Sequence, residues 1–503
     1  MPEIDPVNWS GMNFKVFGKN TVIYAIGNVG ARAAAFLLIP LYTHSLSLRD
    51  YGLLSTLLIT IQMMTFVMSL GTYKGFMRFA NEYESKNLMG KLLGSAVGMT
   101  IVGAFFVMSV CFVFFLPLFR SLLHTQEVYD YVILACLAAL FQALYTHVTT
   151  YYRVKNEGLK FIITNLTSLM LLIATNVVFL RIFVQGVKGV LVAQVVTYGG
   201  LWLLLYVNLI SNMSLGFSFE LARKLIWFSF PFLFAMLWDL VMGTCAIYFL
   251  GYFGGLEQVA IYSLGYKIVQ IVYIALVLPF QLAYEPFVYR NLDDPKIKIA
   301  IPKLLTYLML GYAFVALSII FVLRALLPII APPNYFSAYT VVFLMLPGMA
   351  FIGVYYVAES LFGIRNKASL IGGFVTTFTI GSIALNYILI PRWGIYGAIF
   401  VFDITLILTA SILMVVGMKV FTIQLEGARL GIIGALYLFF SLFVYGLHEV
   451  PPYIYYSVIP MTVLIIVGFL YRGSFFNDGE KEIIKNILQI ARLKTSSKEI
   501  AVH

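Results

Sequence analysis

The sequence has little charge and few residues suited to catalysis or metal binding. Only 11% of its 503 residues are charged and 61% are hydrophobic, more apolar surface than a soluble globular protein needs. Cys111, Cys136 and Cys245 lie in apolar stretches, which predicts buried packing residues without disulfides or metal. The five histidines are scattered, and phosphate-binding glycine motifs are absent. We therefore expect a polytopic membrane protein that is not an enzyme and needs no cofactor.

Apolar stretches long enough to cross a bilayer, which takes about 20 residues, recur along the whole chain. We predict fourteen spans, at residues 21–43, 51–72, 92–117, 130–150, 161–181, 189–209, 225–250, 258–283, 303–330, 338–362, 369–391, 395–417, 430–447 and 454–471. The predicted fold class is therefore all-α, with about fourteen transmembrane helices. The N-terminal segment lacks the form of a cleaved signal peptide, so the first span should remain as an anchor.

The positive charges predict the orientation of the chain. Most of the 33 Lys and Arg residues fall in loops that share one side of the membrane if the fourteen-span count is right. Positive residues concentrate in cytoplasmic loops, so both termini should be cytoplasmic. The net charge of +11 then reflects this orientation and does not indicate nucleic-acid binding. The C-terminal stretch GEKEIIKNILQIARLK fits an amphipathic helix on the inner membrane surface, or equally a terminal helix docked on the protein.

Two short landmarks repeat weakly at one separation. YGLLS at 51–55 matches VAIYS at 259–263, and GVKGVLV at 186–192 matches GIYGAIF at 394–400. The separation contains six spans, an even number, so both halves should have the same topology about an axis along the membrane normal. The predicted domains are an N-lobe at 1–210, a C-lobe at 211–420, two added spans at 421–473 and a cytoplasmic tail at 474–503.

The first span carries a cation at its centre. Arg32 should face protein or water, because a charge at that depth costs about 2.5–3.5 kcal/mol on insertion scales. Tyr24, Asn28 and Arg32 are four residues apart and share one helix face. This face predicts a hydrated cavity that receives an anionic group. Alternatively, Arg32 pairs with a buried carboxylate and fixes helix packing.

Two further charges bear on this cavity. Asp239 in the seventh span lies one residue from the repeat position of Arg32, so the two residues form a candidate pair across the cleft between the lobes. Lys267 in the eighth span would supply a second cation for a diphosphate. It is also near enough to the outer end of its span for its ammonium to snorkel to the interface.

Other charged residues lie inside or at the inner ends of spans. Asp403 and Glu359 are candidate ligands for a coupling ion, H⁺ or Na⁺, although counter-ion roles or an interfacial position are alternatives. Lys74, Arg78 and Arg153 lie at the predicted cytoplasmic mouth and would draw an anionic headgroup inward. The general positive bias of cytoplasmic loops accounts for these three cations equally well.

Four passages resemble one protein family. They are RAAAFLLIPLYTHSLSLRDYGLLS at 32–55, GTYKGFMRFANE at 71–82, YFLGYFGGLEQVAIYSLGYKI at 248–268 and LNYILIPRWGIYGAIFVFD at 385–403. Together they resemble the polysaccharide transporters, including Wzx-type O-antigen flippases, of the multidrug/oligosaccharidyl-lipid/polysaccharide exporter superfamily. One departure is that Cys245 and Ala246 stand where this family often has an Asp-Arg pair.

The resemblance implies a two-lobed flippase of the bacterial cytoplasmic membrane. It would move an undecaprenyl-diphosphate-linked oligosaccharide to the outer leaflet by alternating access, with Arg32 and Lys267 meeting the diphosphate. A glycan polymerase and a chain-length regulator would be its partners. The alternatives are a lipid II flippase or multidrug/cation antiporter of the same superfamily, and, in another class, a membrane-embedded glycan polymerase or ligase. A cationic cavity and fourteen spans count against the antiporter.

Overall fold

A computed structural model gives the architecture of the chain. It describes residues 36–117, 120, 127–212, 216–292, 294–364, 368–447, 450–451, 453, 455–458, 468, 475–476 and 481. The described residues form helices and short connections, with no β-strand among them. Most of the C-terminal tail, predicted to be amphipathic, lies outside the described residues.

The helices follow one another with short turns. In chain order they are α1 (residues 36–45), α2 (Leu48–Ser69), α3 (Thr72–Ser85), α4 (Met89–Val110), α5 (Val128–Val154), α6 (Gly158–Val177), α7 (Gly186–Asn212), α8 (Phe219–Phe253), α9 (Leu256–Val272), α10 (Leu278–Arg290), α11 (Ile297–Ile330), α12 (Ala338–Ile364), α13 (Ala368–Trp393), α14 (Ile395–Val420) and α15 (Gly427–Gly446). Short π-helical segments extend α4 (Cys111–Phe115) and α6 (Val178–Ile182) and join α9 to α10 (Tyr273–Val277).

Eleven of the described helical stretches are long and apolar enough to cross a membrane. They correspond one by one to the second to sixth and eighth to thirteenth predicted spans. Residues 36–45 belong to the predicted first span, and α8 covers the seventh. The fourteenth lies mostly outside the described residues. The predicted all-α polytopic fold class is confirmed.

The repeat predicted from the sequence has a counterpart in the backbone. Gly186 begins α7 and Gly394 precedes α14, at matching places in the two repeated landmarks. Both have positive φ angles, 57° and 53°, which glycine adopts at little cost. A glycine with a positive φ angle therefore introduces both the sixth and the twelfth predicted span.

Buried side chains form one central apolar cluster with a smaller cluster in each half. The central cluster takes residues from both halves, including Leu54, Leu250 and Val259, which are fully buried. The satellite in the first half is built around Phe76 and that in the second half around Phe362. Contacts inside each half therefore continue into a shared centre.

Helix α8 is attached to both halves. The first part of α8 packs on α3 of the first half. A Cβ atom at Gly75 of α3 would press on Leu225 and Ser229 of α8, and the Gly75 N–H donates to Ser229 Oγ over 3.1 Å. The last part of α8 packs on α13 of the second half, where Asn386 contacts Cys245 Sγ of α8 at 3.4 Å. A single long helix thus connects the contacts of the two halves. The three cysteines are free and buried, as the sequence predicts.

Arg324 forms hydrogen bonds at the end of the thirteenth predicted span. The guanidinium of Arg324, on α11, donates to the carbonyl oxygens of Leu447 at 3.2 Å and Val450 at 2.6 Å. These carbonyls follow the C-terminal end of α15, where backbone acceptors lack helical partners and a cation is favourable. Arg324 therefore fixes α15 to the second half of the chain.

Candidate functional site

The halves of the chain meet closely where α2 crosses α9. A Cβ atom at Gly52 would overlap the backbone carbonyl of Leu256, so the two helices touch through their backbones. Both residues lie in the first two turns of their helices. The crossing, called the α2–α9 contact below, is therefore at the end of the bundle that the charge pattern predicts to be the outer end.

Lys267 reaches into this contact from α9. Its Nζ donates a hydrogen bond to Tyr51 Oη over 3.2 Å and lies 5.0 Å from the centre of the Tyr51 ring. Tyr51 is fully buried and packs edge-on against Tyr335, with ring centres 5.6 Å apart. A snorkelling lysine would place its ammonium at the membrane interface. The Lys267 ammonium contacts the phenol of Tyr51, which is buried and lies near the start of α2.

The charge of Lys267 is not matched by a carboxylate in the described part of the chain. No Asp or Glu there forms an ion pair with it. A cation–π contact and one neutral hydrogen bond are weaker partners than a phosphate oxygen, because charge-assisted hydrogen bonds are about twice as strong as neutral ones. The side chain can therefore exchange Tyr51 for an anionic ligand.

The opposite end of the bundle holds the three predicted mouth cations. Lys74 and Arg78 lie one turn apart on α3, and Arg153 lies in the last turn of α5. Burial raises the pKa of Tyr73 to about 12, while the nearby positive charge of Arg153 opposes the rise. Arg153 of α5 therefore lies close to Tyr73, the residue before Lys74 on α3.

Most neighbouring lysines at this end are already neutralised. The ion pairs are Lys86–Glu82 at 3.1 Å, Lys155–Glu84 at 2.6 Å, Lys160–Glu157 at 3.0 Å and Lys224–Glu82 at 3.3 Å. Hydrogen bonds from Lys86 and Lys224 lower the pKa of Glu82. By contrast, Lys74, Arg78 and Arg153 make no ion pair with any described carboxylate. The three predicted residues, together with Lys91 and Arg223, therefore leave positive charge at this mouth without a described ion pair.

The predicted carboxyl groups lie apart from one another. Asp403 of α14 contacts Gly348 in the middle of α12, and its Oδ1 is buried without a hydrogen-bond partner among the described residues. Glu359 is eleven residues further along α12, about 16 Å at 1.5 Å per residue, and lies near Tyr289 of α10. Asp239 belongs to α8, but its side chain is outside the described part of the structure. Asp403 and Glu359 do not form one site.

The residues of the first span that the sequence singles out, Tyr24, Asn28 and Arg32, lie outside the described residues. The Arg32–Asp239 pair therefore stays a prediction. The described part of the same span contributes Tyr42, whose Oη donates to Asn176 Oδ1 over 3.1 Å in the first half. Thr43 donates to the carbonyl of Ile330 in the second half. Helix α1 therefore lies against both halves.

A set of uncharged polar residues in the first half was missed by the sequence reasoning, which followed charges. Gln142 Nε2 donates to Gln194 Oε1 over 3.3 Å, and Thr65 Oγ1 donates to Gln142 Oε1 over 3.4 Å. Gln142, Thr146 and Arg153 share one face of α5, and their spacing is the signal that was available. The contacts join α2, α5 and α7 by amide and hydroxyl groups.

Metal ligands do not gather in the described residues, where no three His, Cys, Asp or Glu side chains converge. The arrangement there offers unpaired cations, phenols and neutral polar groups instead. Such groups can bind an anion and hydroxyl-bearing ligands without covalent chemistry.

The fold of the described helices is the fold of known polytopic flippases and transporters. Among solved structures, it is similar to the lipid II flippase MurJ in an inward closed conformation, with a TM-score of 0.70 and 13% identity over 90% of this chain and 99% of that one. It is also similar to a point mutant of the Vibrio cholerae MATE transporter VcmN, with a TM-score of 0.56 and 15% identity over 80% and 96% of the chains. The MATE multidrug transporter DinF-BH, in a ligand complex, gives a TM-score of 0.57 and 16% identity over 84% and 99%.

The family follows from the sequence match. Residues 17–291 match the model of the family described as polysaccharide biosynthesis protein, and the chain belongs to that family. No curated protein sequence matches the chain significantly. The family assignment agrees with the resemblance noted in the sequence, and the solved structures, at these identities, support the fold.

Proposed function

We propose that the protein moves an undecaprenyl-diphosphate-linked oligosaccharide, an O-antigen or capsule repeat unit, from the cytoplasmic to the outer leaflet by alternating access. The observation that carries the proposal is the position of the Lys267 ammonium group. Its ammonium lies within a membrane-spanning helix, at the junction of the two halves, with a buried phenol and no described carboxylate as partner. Intramembrane charge of this kind marks a substrate path.

The cations fit a route for a diphosphate. Lys74, Arg78 and Arg153 leave positive charge unpaired at one end of the bundle, and Lys267 does so near the other. A sugar headgroup cannot enter hydrocarbon unaided, because each unpaired polar group there costs several kcal/mol. The cations would hold the diphosphate while the polyprenyl tail stays in lipid.

The contacts of α1 support a place for Arg32 on this route. Thr43 bonds to the carbonyl of Ile330, and Ile39, one turn earlier, is buried. If the helix continues upstream with the same period, as the sequence predicts, Arg32 shares the face of Ile39 and Thr43. That face is turned toward the second half of the chain. Arg32 would then meet the diphosphate between the halves, with Asn28 and Tyr24 one and two turns before it.

Energy coupling is part of the proposal. An inside-negative potential offers about 2.3 kcal/mol per charge per 100 mV for moving an anionic headgroup outward. Asp239, Asp403 or Glu359 would couple H⁺ or Na⁺ if an ion drives the cycle. We place the protein in the bacterial cytoplasmic membrane with both termini inside, beside a glycan polymerase and a chain-length regulator.

A lipid II substrate is the second candidate. The similarity in fold to a lipid II flippase favours it, with a TM-score of 0.70. The membership in a polysaccharide biosynthesis family favours an oligosaccharide instead. Export assays with each lipid-linked glycan would separate the two substrates.

Substitution of Lys267 tests the proposal. Lys267→Met keeps the length of the side chain and removes its charge, so export of the lipid-linked glycan should fall at least about tenfold, the equivalent of about 1.4 kcal/mol. Lys267→Arg should keep a substantial part of it. Export would be measured as surface glycan in cells, with membrane protein quantified.

The matched control is Lys188→Met. Lys188 lies at the predicted outer end and is already paired with Asp130 at 2.7 Å and Glu127 at 3.2 Å. Its substitution should leave export near the wild-type level, because solvent-exposed pairs contribute little. Equal export by the Lys267→Met and wild-type proteins would contradict the proposed site.

A further inference from the structure

Helix α12 has a local break in its hydrogen bonding within its first half. Pro347 lies inside the helix and has no N–H, so the carbonyl of Phe343 loses its usual partner. One residue earlier, the carbonyl of Leu346 accepts a hydrogen bond from Tyr312 Oη of α11 at 2.5 Å. Gly348 follows directly. The sequence Leu346-Pro347-Gly348 is therefore a point where α12 can bend.

The carboxyl group of Asp403 lies against this break. A Cβ atom at Gly348 would overlap Asp403 Oδ1 and approach the Asp403 Cα, so α12 and α14 touch here through glycine alone. Oδ1 is buried and has no hydrogen-bond partner in the described part of the chain. An ionised carboxylate only accepts hydrogen bonds, so a charged Asp403 would leave a buried acceptor unpaired here.

The groups around Asp403 are neutral. The titratable side chains that face it are the phenols of Tyr262 on α9, Tyr312 on α11 and Tyr437 on α15. On α8, the thiol of Cys245 lies beyond Tyr262. The described residues of α12 and α13 place no Lys, Arg or His beside the carboxyl group. A buried, unpaired carboxylate costs several kcal/mol, and a proton removes that cost.

A proton suits this site better than an alkali cation. A metal ion needs several oxygen ligands, whereas no three His, Cys, Asp or Glu side chains converge in the described part of the chain. The Leu346 carbonyl already accepts from Tyr312. A proton needs one free oxygen, and Asp403 Oδ1 is one.

A cavity leads to the same break. It has a volume of about 570 Å³ and lies between α11, α12, α14 and α15. Tyr312, Pro347 and Tyr437 line it and also adjoin Asp403 or the break. The Tyr437 Oη is buried without a partner among the described residues. A bend of α12 at Pro347 would therefore change the wall of this cavity.

We propose that Asp403 is the proton-binding group of a hinge in α12. It holds a proton in the conformation seen here and releases it when α12 bends at Leu346–Gly348 and water reaches the carboxyl group. Bending is thereby favoured at high pH and opposed at low pH. In the proposed flippase cycle, the hinge would be the step that couples transport to protons. Only this role depends on the proposed function; the proton-dependent bending does not.

Infrared difference spectroscopy of the purified protein in lipid vesicles tests the proposal without any glycan. A rise in pH should remove a protonated-carboxyl band in the wild type, and Asp403→Asn should lack that band change. Hydrogen exchange at residues 343–351, corrected for the intrinsic effect of pH, should rise with pH in the wild type and stay constant in Asp403→Asn. Glu285→Gln, which removes an exposed carboxylate on α10, should behave as the wild type.

Several results would overturn the hinge. They are an unchanged band in Asp403→Asn, loss of the band in Glu359→Gln, or exchange at 343–351 that follows Na⁺ at fixed pH. If Asp403→Asn does not fold, Asp403→Glu brings the carboxyl group closer to Gly348 and should shift the midpoint of the band change; an unshifted midpoint contradicts the assignment. Failure here leaves the flippase proposal intact, and failure of glycan export leaves this measurement valid.

Discussion

Replacing Gly52 with alanine should weaken the α2–α9 contact and favour a conformation in which the halves separate there. The new methyl group would overlap the backbone carbonyl of Leu256, and the next nearest atom is the backbone N of Ala260. Backbone atoms cannot rotate away as a side chain can. The two helices must therefore move apart, and the contact cannot persist as it is.

The size of the effect follows from the cost of overpacking. Extra methyl groups in a well-packed core cost about 1–3 kcal/mol. If the separated conformation escapes that cost, the equilibrium shifts by about 5- to 150-fold, because about 1.4 kcal/mol corresponds to a factor of ten. The mutation adds no strain elsewhere, since Gly52 has an ordinary helical backbone within α2.

Thiol labelling reports on this equilibrium. Ser55 lies one turn after Gly52, is buried and has a hydroxyl without a described partner, so a cysteine there should react slowly with an impermeant maleimide. In the Gly52→Ala background the same cysteine should react about 5- to 150-fold faster, because the separated conformation is more populated. Gly200→Ala in α7 is the control, since open space surrounds that position. Equal labelling in all three backgrounds would refute the reasoning.

One further prediction rests on the observed contacts of Arg324 and another on the predicted Arg32–Asp239 pair. Arg324→Met should loosen the end of α15 by about 1–3 kcal/mol, because the carbonyls of Leu447 and Val450 lose a charged donor; hydrogen exchange at α15 checks this, and unchanged protection would contradict it. Exchange of Arg32 and Asp239 in a double variant should restore part of the glycan export lost in each single variant, if the two side chains pair directly. No rescue would argue against that pairing.

The arrangement of the spans was predictable because hydropathy and charge report it directly. The eleven candidate spans match predicted ones, and the glycines of the repeated landmarks, Gly186 and Gly394, both have positive φ angles. Helix ends were less predictable. Helix α8 begins at Phe219, before the predicted start at residue 225, since helical hydrogen bonding continues into the charged segment after hydropathy falls.

The segment after the second span shows another limit. Residues 73–91 are polar enough to suggest a loop, yet most of them form α3, which packs on α8 through Gly75 and Ser229. Glycine marks this contact only once the partner helix is known. A contact between distant small residues leaves no periodic signal in the sequence.

The candidate site was predictable in its charges and not in its partners. The sequence singles out Lys267, because a cation within a span is costly. It does not indicate Tyr51, since a tyrosine at a helix start is common in membrane proteins. The partners Gln142 and Gln194 were missed because neutral residues become conspicuous only when the fold brings them together.

The account depends most on positive charge between the halves that binds the diphosphate of a lipid-linked glycan. Export of that glycan by an Arg32→Ala variant, with its amount in the membrane measured in parallel, tests this claim most directly. We expect export to be lost while the protein remains in the membrane, and Arg32→Lys to recover part of it. Normal export by the alanine variant would contradict the account.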